Sequence, residues 1–208
     1  MCSQTGRRAF CAAGVFLCAV LLTVLLRSMT PDYRPQSPEF RRTGPAEAPV
    51  EIAVFSDFEC GGCRASEEPL RRLQTLFPGK IRILFKHMAW DFHKHALEAS
   101  VAAECAGEQG RFWEFHDRLF KNQEKWASEK GPEAFFAQLS KELRLDAAAF
   151  SACRNGPSAK AAVDADRKEG KDHWVRATPT FFINGKRFVG VRQLRGPGFN
   201  LIERIVKK

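Results

Sequence analysis

Apolar and polar positions along this chain change their period several times, and each change marks an element. Val50-Glu51-Ile52-Ala53-Val54-Phe55 is almost continuously apolar, the pattern of a buried strand. From Cys60 to Phe77 the spacing is helical, with Pro69 as an expected kink and Pro78-Gly79 as a stop. Ile81 to Phe85 alternates apolar and basic residues, and Lys86 and His87 follow, so a second strand is expected there.

From His93 to His173 the pattern is helical almost throughout. An alanine-rich helix spans 93–109, and 111–122 sets Phe112, Phe115, Leu119 and Phe120 on one face. A third helix opens at Gly131-Pro132 and runs to Leu143. A fourth is capped by Asp146 and runs to about Arg154, and a fifth spans 158–171. Strand character returns at Thr180 to Ile183. Asn184-Gly185 is a two-residue hairpin signal, and Lys186 to Val189 is the returning strand. Gly198 to Val206 closes the chain as a helix. The class is α/β: strand, helix, strand, a helical block over about 92–173, then a hairpin and a helix.

Before this domain, Arg7-Arg8 leads into an apolar run from Ala9 to Leu26 that Arg27 closes. About 18 apolar residues is the short end for a membrane-spanning helix. The exit lacks the small-residue cleavage pattern, so residues 1–27 read as a signal anchor, with a cleaved signal peptide as the alternative. The basic residues before the run orient the domain to the outside. Residues 28–48 hold Pro31, Pro35, Pro38 and Pro45 and read as a Pro-rich linker without a core of its own, so the domain is expected to span 49–208.

The net charge is +9, but no basic run is interleaved with aromatics, so no nucleic-acid partner is expected. Of the seven cysteines, Cys2, Cys11 and Cys18 fall in the targeting segment, and Cys60, Cys63, Cys105 and Cys153 in the domain. That usage suits an oxidising compartment.

Cys60-Gly61-Gly62-Cys63 carries the chemistry. Two thiols at this spacing, where a strand passes into a helix, can close a small disulfide ring, and the helix start favours a thiolate at Cys60. Gly61, Gly62 and Cys63 all keep backbone N–H groups that can point at the sulfur. Cys63, one turn in, would resolve a mixed disulfide by attacking Cys60. A structural disulfide is the alternative. A zinc site would need four ligands, and no second C-x-x-C or Cys/His pair stands near. His87, His93, His95, His116 and His173 form no metal pattern with carboxylates, so no metal and no cofactor are expected. Glu59, beside Cys60, is a candidate proton acceptor for Cys63 through water.

Three blocks carry a resemblance: Phe55-Ser56-Asp57-Phe58-Glu59-Cys60-Gly61-Gly62-Cys63-Arg64, the segment from Ala102 to Asp117, and Thr178-Pro179-Thr180-Phe181-Phe182-Ile183-Asn184-Gly185. In this order the chain resembles the DsbA-like branch of the thioredoxin superfamily over Val50 to Val206. The resemblance implies a thioredoxin fold with a helical insertion between its β-α-β and β-β-α halves. It implies a cis-proline at Pro179, with the backbone of Thr178 free to pair with an extended substrate segment. It also implies a structural disulfide between Cys105 and Cys153, which would stabilise the fold by about 4 kcal/mol in the chain-entropy model.

The implied function is thiol-disulfide exchange on unfolded or reduced exported proteins. The implied setting is periplasmic or extracytoplasmic, tethered to the inner membrane by the N-terminal segment. An oxidase recharged by a membrane redox partner of DsbB or VKOR type is the leading reading. A thioredoxin-like reductase, for example in cytochrome maturation, and a non-catalytic binding module are the alternatives. Two departures stand out. Gly-Gly replaces the Pro-His or Pro-Tyr of the oxidising members, which predicts a weaker oxidant than the Pro-His proteins. Met88-Ala89-Trp90 stands where Pro-Leu is expected.

Overall fold

Strand β2, Val50–Ser56, is the hub of a five-stranded sheet in the order β1-β3-β2-β4-β5. The computed structural model describes residues 33–128 and 131–207. Its strands are β1 Arg42–Thr43, β3 Ile81–His87, β4 Thr180–Ile183 and β5 Lys186–Val189. β2 runs parallel to β3, from Val50 opposite Ile81 to Ser56 opposite His87, and antiparallel to β4. The return from β4 to β5 uses Asn184 at φ 43° and Gly185 at φ 82°, the two positive φ values that a tight hairpin turn requires.

Nine α-helices are described: α1 Gly61–Leu76, α2 Ala96–Glu108, α3 Phe112–Lys121, α4 Gln123–Ala127, α5 Glu133–Glu142, α6 Ala147–Asn155, α7 Pro157–Asp172, α8 Gly190–Gln193 and α9 Phe199–Val206. Helix α1 crosses from β2 to β3 and buries Cys63, Ser66, Pro69, Leu70 and Leu73 along one stripe. It meets α9 through Phe77 and Phe199, whose ring centres lie 6.0 Å apart. Helices α2 to α7 form the insertion between the two halves of the fold. As the sequence anticipates, the Asp146 side chain caps α6 by accepting the Ala149 N–H at 2.7 Å. Cys105 of α2 and Cys153 of α6 form a disulfide across 48 residues of chain.

Four features differ from the sequence reading. The Pro-rich linker is folded from Arg34 onward, as part of the compact unit Arg34–Lys208. It makes a 3-10 turn at Glu39–Arg41, and β1 pairs with β3. Phe40 packs so closely on Gly107 of α2 that an added Cβ there would lie 2.4 Å from its ring.

Strand β3 is buried at all seven positions, although its alternation suggests one solvated face. The reason is ionic. Lys86 pairs with Asp166 and, at 2.8 Å, with Glu169, and donates to the Gln36 carbonyl at 2.6 Å. Arg41, 3% exposed, pairs with Asp166 and lies 3.1 Å from Glu104, which also meets His87 at 2.9 Å. Burial pushes the His87 pKa down. The insertion and the N-terminal strap therefore cover the basic face of β3 and neutralise it.

Helix α4 follows α3 directly, and a short helix and a π turn over Leu194–Gly198 precede α9; neither has a periodic signal long enough to read. The 9–26 run and the anchor or signal peptide read there lie outside the described residues. Among the described residues, no helix is long and apolar enough to cross a membrane.

Candidate active site

The site begins with a ring that is not reactive. Phe58 has no exposed surface and stacks on Phe85 at 5.2 Å, with Phe120 at 5.1 Å and His116 at 5.7 Å. Burial of such a ring is worth roughly 1.5–3 kcal/mol, enough to anchor the loop between β2 and α1 in the core. Asp57, equally buried, organises the same loop. Its carboxylate accepts the Glu59 N–H at 2.7 Å and the Trp90 N–H at 2.8 Å, and meets His93 Nδ1 at 2.9 Å.

Cys60 is the N-cap of α1, with extended backbone at φ −76° and ψ 119°. Both Cys60 and Cys63 are free thiols, Cys60 half-buried and Cys63 fully buried. The Cys60 pKa is lowered from 9.0 to about 5. The largest cause is the hydrogen bond from the Cys63 thiol. Partial burial opposes it, and the Thr178 side chain and the N–H groups of Cys63 and Gly62 support it. Cys63 moves the other way: burial first, then its neighbour Cys60, push its pKa well up. The Asp57 N–H lies 3.4 Å from the Cys63 sulfur. Charge on this pair is therefore confined to the outer sulfur.

The loop before β4 closes the site from the other side. The Thr178–Pro179 peptide bond is cis. The Cys60 thiol, when protonated, donates to the Thr178 carbonyl at 3.4 Å. A Cβ added at Gly62 would lie 3.4 Å from Pro179 Cδ and 3.6 Å from the Thr178 oxygen, so the second glycine faces this loop. Cys60, Cys63, Thr178 and Pro179 thus come together across more than a hundred residues of chain.

Glu59 turns elsewhere: its carboxylate accepts the His95 N–H at 2.6 Å. Cys105 and Cys153 are bonded to each other and belong to the insertion, not to the site. Two residues that the sequence reading passed over contact the site directly. Gln123 of α4 donates to the carbonyls of Phe58, at 2.7 Å, and Cys60, at 3.1 Å. Trp90 donates its indole N–H to Thr178 Oγ1 at 3.0 Å. Only the unusual Met88-Ala89-Trp90 sequence hinted at the second, and nothing local hints at the first.

The fold also gathers Glu67 of α1 with His116 and Asp117 of α3, whose potential ligand atoms lie within 4.8 Å of one another. Sequence spacing did not reveal that cluster, because the residues come from two helices. The His116 ring meets Asp117 at 2.9 Å and packs among Phe58, Phe85 and Phe120. Burial raises the Glu67 pKa.

A family model described as thioredoxin matches residues 36–195. A Na(+)/H(+) antiporter NhaA 1 of Salinispora arenicola is 40% identical over 151 residues, which is 71% of this chain and 22% of that protein. The chain thus spans about a fifth of that relative, and the antiporter name refers to the longer protein. Among solved structures, alpha-DsbA1 of Wolbachia pipientis superposes with a TM-score of 0.70 at 18% identity, covering 83% of this chain and 93% of that one. Oxidised BdbD of Bacillus subtilis gives a TM-score of 0.68 at 22% identity, covering 86% and 100%. The chain belongs to the thioredoxin family, and its fold, divided by a helical insertion, is similar to that of alpha-DsbA1.

Proposed function

We propose that this protein is a thiol-disulfide oxidoreductase that exchanges disulfides with protein substrates through Cys60 and Cys63, and that it works as an oxidase. The observation that carries the reading is the opposite displacement of the two thiols, Cys60 down to about 5 and Cys63 well up. A stable Cys60 thiolate favours the dithiol form, which makes the Cys60–Cys63 disulfide an oxidant. It also makes Cys60 a good leaving group.

In the oxidising direction a substrate thiolate attacks Cys60 Sγ. The Cys60–Cys63 bond breaks, and Cys63 leaves with the electron pair and takes up a proton. A second substrate thiolate then attacks the substrate sulfur of the mixed disulfide and releases Cys60 as a thiolate. The substrate dithiol is oxidised by two electrons and the protein disulfide is reduced by two. An extended substrate segment would pair with the backbone of Thr178 beside Pro179.

The Cys105–Cys153 bridge and the apolar run at 9–26 support a setting outside the cytoplasm, tethered to a membrane. There, reduced exported proteins would be the clients, and a membrane-embedded partner of DsbB or VKOR type would restore the disulfide. The Gly61–Gly62 pair is the observation that favours the reductase alternative, because it supplies no histidine to support the thiolate.

Oxidative refolding of reduced ribonuclease tests the reading. The oxidised protein should restore ribonuclease activity stoichiometrically and Cys60→Ala should abolish this, whereas Cys63→Ala, given scrambled ribonuclease whose disulfides the Cys60 thiolate attacks, should accumulate mixed disulfides because no second thiol resolves them. Refolding unaffected by Cys60→Ala would refute it.

A further inference from the structure

Trp174 breaks a local rule. Helix α7 ends with the Trp174 N–H on the Lys171 carbonyl at 3.2 Å and the Val175 N–H on the Gly170 carbonyl at 2.8 Å. This paired closure turns the chain through a left-handed residue, a place that favours glycine. Trp174 holds it at φ 58°. Burial does not offset the strain, because the residue is 69% exposed. Local stability therefore gives no reason for a tryptophan here.

Two guanidinium groups gather on this residue. Arg176 lies over the ring, 5.0 Å from its centroid. Arg187 of β5 donates to the Trp174 carbonyl at 3.1 Å. A ring contact and a single hydrogen bond each leave most of the five N–H donors of a guanidinium available. Both arginines are exposed. Carboxylates on the neighbouring segments have other partners: Asp172 meets Lys168 at 2.6 Å, Glu169 meets Lys86 at 2.8 Å, and Asp91 meets Arg167. The surplus is regional. Residues 171–208 hold nine Lys or Arg against two Asp or Glu, and nine less two is +7 of the chain's +9.

The two arginines flank the reactive cysteine. Arg176 stands two residues before Thr178, whose carbonyl lies 3.4 Å from Cys60 Sγ. Arg187 sits opposite Phe182, and Val189, two residues on, sits opposite Thr180. An extended segment aligned on Thr178 advances about 3.3 Å per residue, so positions roughly two to four places from its cysteine come level with Arg176 and Trp174.

We propose that Arg176 and Arg187, held on Trp174, form a clamp for the carboxylate side chains of an acidic, extended client segment lying beside Pro179. The inference rests on the thiol-disulfide reading above for the alignment of the client, and it names a preference within that reading. Guanidinium forks match carboxylates in a geometry that lysines do not reproduce.

Short peptides without cysteine test the clamp, with serine at the centre and aspartate, asparagine or lysine around it. Fluorescence anisotropy on the full-length protein reads their binding. At low salt the aspartate peptide should bind about tenfold more tightly than its asparagine twin, with the lysine peptide weakest. Arg176→Gln with Arg187→Gln should remove this preference. Lys121→Gln with Lys141→Gln removes the same charge from exposed positions of α3 and α5 and should keep it. Equal binding of the three peptides overturns the clamp. So does an equal loss in both double variants, which would mark net charge alone. An arginine double variant that loses binding to phosphatidylglycerol vesicles, while the peptides show no preference, overturns it in favour of a lipid surface. Should Arg187→Gln fail to fold, Arg176→Gln decides by the same comparison. These peptides cannot exchange disulfides, so the result is separate from the function. Charge-selective binding by a protein that oxidises no cysteine peptide would count against the function and leave the clamp standing.

Discussion

The side-chain amide of Gln123 donates to the backbone carbonyl of Cys60 at 3.1 Å, joining the helical insertion to the start of α1. The same nitrogen reaches the Phe58 carbonyl at 2.7 Å, and the side chain is 5% exposed. Two glycines follow Cys60, so the loop has little stiffness of its own. Gln123 supplies part of it from outside.

Gln123→Ala should therefore destabilise the protein by about 1–3 kcal/mol, chiefly the cost of removing the side-chain donor from the buried Phe58 carbonyl, because the Cys60 carbonyl keeps the N–H groups of Cys63 and Arg64. Urea denaturation of the oxidised protein measures this directly. A midpoint within error of the wild type would show that the amide holds nothing.

Stability of the reduced form should follow pH in a defined window. The Cys60 pKa is depressed to about 5 in the folded state, against about 8.5 for an unfolded thiol. Its stabilising contribution is then fully present above the unfolded value and lost as pH falls through the folded one. Cys63, raised by burial, acts only above the unfolded value and with the opposite sign. The oxidised protein lacks both titrations. The difference in urea midpoint, reduced minus oxidised, should therefore climb from about pH 5 to about pH 8.5. Parallel curves for the two forms would contradict the thiolate.

Asp166 bears on the strap rather than on the Cys60–Cys63 pair. It lies between the buried cations Arg41 and Lys86, and accepts the His87 N–H at 2.9 Å. Asp166→Asn keeps the shape and removes the charge, so it should cost about 3–5 kcal/mol, as expected when one partner of a buried ion pair is lost. Thermal and urea unfolding should both report it, with the Cys60 titration unchanged.

Elements with a strong local signal could be read from the sequence. Val50 to Phe55, the Asn184-Gly185 turn and the Asp146 cap each carry their own instruction within a few residues. The same holds for the pairing of Cys60 with Cys63 at the start of α1. Contacts set between distant segments were not legible. Arg34 to Thr43 looked like a linker because prolines and charges give no period, yet Arg41 finds Glu104 and Asp166 far along the chain. Strand β3 alternates apolar with basic residues, yet it is buried throughout because Asp166, Glu169 and Glu39 neutralise its lysine and arginine. Gln123 and Trp90 escaped for the same reason: each acts on a loop more than thirty residues away. Thr178 and Pro179 were legible through family resemblance, which stores such long-range information in a short motif.

The reduction potential of the Cys60–Cys63 pair, measured against glutathione, tests the central claim most directly. A Cys60 thiolate stabilised to about 5 should hold the potential less negative than about −230 mV, above the thioredoxin range. A potential at or below that value would contradict the oxidase and favour a reductase built on the same site.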